Sequence, residues 1–132
     1  MCSSDLAANY AVVAGAGIRV VRENADGEMP IDDVAAAIQD PSDTHSAITS
    51  LAIVENCHAH TMSRPIAPDY MRRLRNLLAP LGVPIHVDGA RLFNAVVALG
   101  VPARDLVADA ESASFCLSKG LAARSEEHTS EL

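Results

Sequence analysis

Residues 86–101 read HVDGARLFNAVVALGV, and residues 114–121 read SFCLSKGL. Pro84–Val87 is short and mostly apolar, which predicts a strand. Gly89–Leu99 follows as a predicted helix, and Ser112–Leu117 as a second strand. About 30 residues lie between Asp88 and Lys119, which suits one strand–helix–strand unit. Parallel strands joined by a crossover have one hand, so the unit is right-handed. It brings Asp88 and Lys119 to the same edge of adjacent strands, because each follows the carboxyl end of its own strand.

Working outward, the same alternation continues. Ala47–Val54 is a nearly continuous apolar run, the pattern of a strand buried on both faces. Tyr70, Met71, Leu74, Leu77, Leu78 and Leu81 form one apolar helical stripe, and Gly82 with Pro84 ends it. Arg72, Arg73 and Arg75 read as the solvated side of that helix. Further upstream, Ile31, Val34, Ala35 and Ile38 share a helical face opened near Pro30, with Asp32 and Asp33 in the first turn. Asn24–Gly27 is a turn, Ile18–Val21 a β-branched strand, and Ala7–Val13 the tail of a helix that Ala14–Gly17 breaks. Strands alternating with helices predict an α/β fold with a mostly parallel sheet flanked by helices.

Composition narrows the class. Of 132 residues, 49% are hydrophobic and 20% charged, which excludes disorder. No apolar run approaches the roughly 20 residues of a membrane span. Aromatics are only 3%, so the expected core is aliphatic. A formal charge of -7 argues against a nucleic-acid partner. The 3 cysteines (Cys2, Cys57, Cys116) are far apart, an odd count that reads as a reduced, cytoplasmic protein. No metal is expected, since the histidines and Cys57 lack zinc-ligand spacing.

The two ends read differently from the middle. Residues 124–132, RSEEHTSEL, match the translation of a sequencing-library adapter, and Met1–Leu6 match the complementary strand of the same adapter read from a GTG start. Residues 1–6 and 124–132 are therefore expected to be adapter-derived, leaving 7–123 as the genuine segment.

Each strand end carries chemistry: Glu55-Asn56-Cys57-His58 after the first, Asp88-Gly89-Ala90-Arg91 after the second, and Ser118-Lys119-Gly120 after the third. A carboxylate and an amine facing one pocket suit pyridoxal phosphate, which needs a lysine to attach it and an acid to keep its pyridine nitrogen protonated. On spacing alone a buried Asp–Lys ion pair, or an aspartate capping the helix from Gly89, is the favoured reading.

The D-G-A-R and S-K-G pieces at this separation resemble the threonine aldolase family of fold-type I pyridoxal-phosphate enzymes. This group sits within the wider aromatic amino acid β-eliminating lyase/threonine aldolase family. Asp43-Thr44-His45 is similar to the family's D-x-H segment, and Glu55-Asn56-Cys57-His58 to its E-N-T-H segment, with Cys57 in place of threonine. His58–Pro68 departs from the Gly-rich form expected there. The resemblance covers essentially all of Ala7–Ala123 and implies part of the large domain of such an enzyme. By it, Lys119 would attach the cofactor and Asp88 would pair with its ring nitrogen. Arg91 would sit beside the cofactor and hold the substrate carboxylate. His45 would be the base at the substrate hydroxyl, and Ser118 would touch the phosphate. The implied reaction is retro-aldol cleavage of threonine or allo-threonine to glycine and acetaldehyde, hence threonine catabolism and glycine formation. The implied parent is a homodimer or homotetramer with a small amino-acid substrate.

The residues also admit other readings. His45 on a polar loop is equally a solvated histidine. His60 reads as surface. His86 shares a strand face with Asp88 and reads as a supporting or core side chain. Cys116 reads as a small core hydrophobe. Another β-eliminating lyase would use the same acid and amine on a different amino acid, and a non-catalytic α/β interaction domain would use them as structural pairs. The resemblance assigns the phosphate loop, the ring-stacking residue and a second carboxylate-binding arginine to segments outside 7–123. The chain alone is therefore expected to bind cofactor weakly and to be inactive.

Overall fold

The computed structural model describes residues 9–123; the expectations for residues 1–6 and 124–132 lie outside the described residues. In chain order the helices and strands are α1 (Asn9–Ala14), α2 (Ile31–Ala37), β1 (Ala52–Glu55), α3 (Pro68–Leu78), β2 (Ile85–Gly89), α4 (Leu92–Leu99), α5 (Ala103–Val107) and β3 (Ser112–Phe115). Single 3-10 turns occupy Ala59–Thr61 and Ala79–Leu81. The strands form one parallel sheet in the order β1-β2-β3. The α/β class and the parallel pairing of β2 with β3 are as the sequence predicts, but the connection holds α5 as well as α4, and α4 begins at Leu92, not at Gly89.

Side-chain alternation gives the sheet two unlike faces. Val54 pairs with Val87, and Ala52 with Ile85. Val54, Ile85 and Val87 are 3%, 0% and 0% exposed. They join one cluster with Tyr70, Met71, Leu74 and Leu78 of α3 and Leu106 of α5. On the other face Ile53 pairs with His86, and His86 with Ser112. There Ile53 is 37% exposed and Ser112 is exposed. The expected double burial of Ala47–Val54 is thus corrected: the strand is four residues long, Ala52–Glu55, and Ile53 on its second face is exposed. Ile48 and Leu51 upstream are exposed.

Helix α3 forms because its apolar residues recur at helical spacing. Pro68 begins it, where a missing N–H costs nothing, and Asp69 favours its positive end. Tyr70, Met71, Leu74 and Leu78 are buried, each worth about 1.5–3 kcal/mol by transfer. The helix stops at Leu78, and Gly82 closes the following turn at φ 67, so Leu81 falls outside the stripe and is exposed. The core is not wholly aliphatic, since Tyr70 is 1% exposed with its hydroxyl donating to Met29 O at 2.9 Å. The arginines on α3 do more than meet solvent. Arg73 pairs with Glu28 at 3.1 Å and Arg75 with Glu111, whose Oε2 accepts from Ile85 N at 2.6 Å. These ties fix the loop before α2 and the start of β2 onto the helix.

One expected strand fails: Ile18–Val21 has no strand pairing, and Val20 is 82% exposed. A β-branched run needs a neighbour for its ladder, and propensity alone does not supply one. The short helix α5 was not legible because only Leu106 is buried on it.

Candidate functional site at the carboxyl edge of the sheet

β1 ends on Glu55 and β2 on Asp88-Gly89, and the register sets Glu55 beside Asp88 and Asp88 beside Ser114. Both carboxylates are buried, each residue 6% exposed. Asp88 does not cap a helix: Gly89 stays in the strand, α4 begins at Leu92, and Asp88 Oδ1 accepts from Ala90 N at 3.3 Å. Gly89 is required by the neighbouring strand. A Cβ there would lie 2.5 Å from Ser114 O and 3.0 Å from Leu92 Cβ. The glycine of D-G-A-R is therefore what allows β3 to approach β2 at the acid.

Arg91 stands at the entrance to α4 with φ -125 and ψ 26, and its guanidinium is 3.8 Å from Glu55 Oε1. Glu55 Oε2 is 3.9 Å from His58 Nε2 and has no hydrogen-bond partner. Asn56 next to it is fully used. Its Nδ2 donates to Ile66 O and its Oδ1 accepts from Ile66 N, both at 3.0 Å, while its own N–H donates to Asp88 O at 2.9 Å. Cys57 is 1% exposed, and its Sγ donates to Arg91 O at 3.6 Å. Burial pushes the Cys57 thiol up, with Arg91 opposing.

Lys119 lies on the turn after β3, with Ser118 before it, and both are exposed. The turn closes through Ala123 N to Leu117 O at 2.8 Å and Ala122 N to Lys119 O at 2.9 Å. It leans on α4, where a Cβ on Gly120 would meet Asn94 Oδ1 at 2.0 Å. Cys116 is not a core residue of the strand. It follows β3, and its Sγ lies 3.1 Å from Ser118 Oγ, a hydrogen bond that lowers its pKa. His86 Nδ1 lies 2.8 Å from Ser112 Oγ on the open face, so it is not a core side chain.

The fold thus brings Asp88, Arg91, Ser118 and Lys119 to the strand ends of one parallel unit. His45 stands apart. Its side chain is 94% exposed on the loop before β1, and it contacts Asp43, with Nδ1 3.3 Å from Oδ1. Sequence reasoning did not assign Glu55 a role. Its signal was a charge closing an apolar run, which becomes a site feature only once the register sets it beside Asp88.

The donor set fits pyridoxal phosphate: a buried carboxylate for a protonated ring nitrogen, an accessible amine for an aldehyde, and a guanidinium for a carboxylate. An acid and an amine at the carboxyl edge of a parallel sheet are the features of a fold-type I large domain. A family model described as "Beta-eliminating lyase" matches residues 3–125. The chain belongs to that family, which is pyridoxal-phosphate dependent. It is 41% identical over 112 residues to "Low-specificity L-threonine aldolase 1" of Arabidopsis thaliana, covering 84% of this chain and 31% of that protein. It is 39% identical over 97 residues to "Low specificity L-threonine aldolase" of Escherichia coli (strain K12), covering 74% and 28%. The Saccharomyces cerevisiae protein of that name is 32% identical over 119 residues, covering 89% and 30%. The chain therefore spans less than a third of the length of these relatives. Among the described residues no helix is long and apolar enough to cross a membrane.

Proposed function

We propose that the protein of which this chain is part cleaves L-threonine or L-allo-threonine to glycine and acetaldehyde. The observation that carries this is Asp88 at the carboxyl end of β2 and Lys119 on the turn that follows its parallel neighbour β3, with Arg91 between them in sequence. The names of the relatives supply the substrate. When bound, pyridoxal phosphate supplies an electron sink for the pair released as Cα–Cβ breaks.

The chain's own residues do the rest. The buried Asp88 carboxylate would keep a proton on the pyridine nitrogen, and its burial would strengthen that interaction. The Lys119 amine would hold the cofactor, and the Ser118 hydroxyl, on the same turn, would be a donor for its phosphate. The Arg91 fork takes the substrate carboxylate. His45, the resemblance's candidate base for the β-hydroxyl, stands outside this cluster beside Asp43, and we assign it no contact with the other site residues. We assign residues 1–6 and 124–132 no part in this. Homodimeric or homotetrameric assembly in the cytoplasm completes the reading, consistent with free Cys57 and Cys116.

Expression of the full-length protein tests it. Lys119→Ala should remove the visible cofactor absorbance and reduce glycine release from threonine to background. Ammonia and an oxo acid in place of glycine and acetaldehyde would establish the second reading, β-elimination, which the family's description favours. A full-length Lys119→Ala protein that still bound cofactor and released glycine would overturn both.

A further inference from the structure

Arg91 is held at two points by one short segment. Glu55 faces its guanidinium at 3.8 Å, and Cys57 donates to its carbonyl at 3.6 Å. Asn56 between them is locked onto Ile66 and β2, so the segment is a rigid platform. The Glu55 side chain is only 4% exposed, yet neither oxygen sits at hydrogen-bond distance from a charged partner, at 3.8 Å from Arg91 and 3.9 Å from His58. Burying a carboxylate this loosely paired does little for stability, because its desolvation is poorly offset. What such a charge does well is orient. An arginine 31% exposed at a strand end has many rotamers open to it, and a fixed carboxylate beside its head removes most of them.

We propose that Glu55 is the positioning residue for Arg91, holding the guanidinium at the carboxyl edge so that it meets the substrate carboxylate already oriented. This rests on the reading of Arg91 as the carboxylate partner. Preorganisation of this kind strengthens ground-state binding of every amino acid that enters, whichever bond is then broken.

The test is a double-mutant cycle in the full-length holoprotein with Glu55→Gln, Arg91→Lys and the pair. Glycine affinity is read by calorimetry, alongside KM and kcat for threonine. Arg91→Lys should weaken glycine about 10- to 100-fold, the loss of a bidentate fork. Glu55→Gln should weaken it roughly 5-fold and raise KM to match, with kcat within about twofold. In the Arg91→Lys background Glu55→Gln should add nothing. A full further loss in the double variant would show Glu55 acting apart from Arg91 and overturn the proposal, as would unchanged glycine affinity in Glu55→Gln. Unchanged affinity in Arg91→Lys would instead overturn the assignment of Arg91 itself. If Glu55→Gln does not fold, Glu55→Asp runs the same cycle under the same criteria.

Discussion

The two strand ends that carry the acid and the amine are built differently. Asp88 ends a central strand with neighbours on both sides, and Ile85 and Val87 before it are 0% exposed. Lys119 follows an edge strand whose four residues are all exposed, on an exposed turn. One half of the chemical pair is thus fixed by packing within this chain, and the other is carried by backbone pairing to one strand and by contacts with α4. The comparison teaches that a site can be continuous in sequence logic and yet rest on unequal support. Central strands gain from two ladders and a covered face; an edge strand has one ladder.

That contrast can be broken by substitution. Leu74→Ala, in the buried cluster that includes Ile85 and Val87, should cost about 2–5 kcal/mol in denaturant unfolding, since Leu74 is 0% exposed. Gly89→Ala should cost about 1–3 kcal/mol, because the new methyl meets Ser114 O. It should loosen β3 more than β1, which amide exchange across residues 112–115 would reveal. Equal protection loss on both sides of β2 would show that the two ends are not separately supported.

Tyr70 gives a pH test of the packed side. Burial pushes its phenol up to about 12, with Glu28 adding to the shift. The raised value means its contribution to stability is fully present below the ordinary tyrosine value near 10 and is lost as pH rises through 12. The unfolding midpoint should therefore fall over about pH 10–12, and this fall should shrink in Tyr70→Phe. An absorbance titration of the folded chain should show one phenol ionising in the upper part of that range. The smallest effect belongs to the other side. Lys119→Ala should change the unfolding free energy by no more than about 0.5 kcal/mol, as for an exposed residue clear of packing. A larger loss would show that the turn after β3 is part of the packed unit.

Much of this was legible in the residues. The α3 stripe announced a buried face, and Gly82 announced its end, because helical periodicity and left-handed caps are local properties. The unit from Pro84 to Leu117 was legible for a similar reason: a crossover between parallel strands has one hand and a narrow range of lengths. What failed was whatever depends on a partner. Ile18–Val21 has strand propensity but no ladder, and Ile53 has an apolar side chain but no cover. Cys116 stands past the end of its strand, beside Ser118.

By itself the sequence determined the α/β class, the helix α3 and the assignment of Asp88, Arg91 and Lys119 to strand ends, because periodicity, turn chemistry and chain handedness act over short separations. Only the tertiary structure decided that Glu55 lies beside Asp88 and faces Arg91, that Gly89 is needed by Ser114, and that the acid is buried while the amine is exposed. Those facts depend on register and on which strand has two neighbours, and both are set by contacts between residues about 30 apart in the chain.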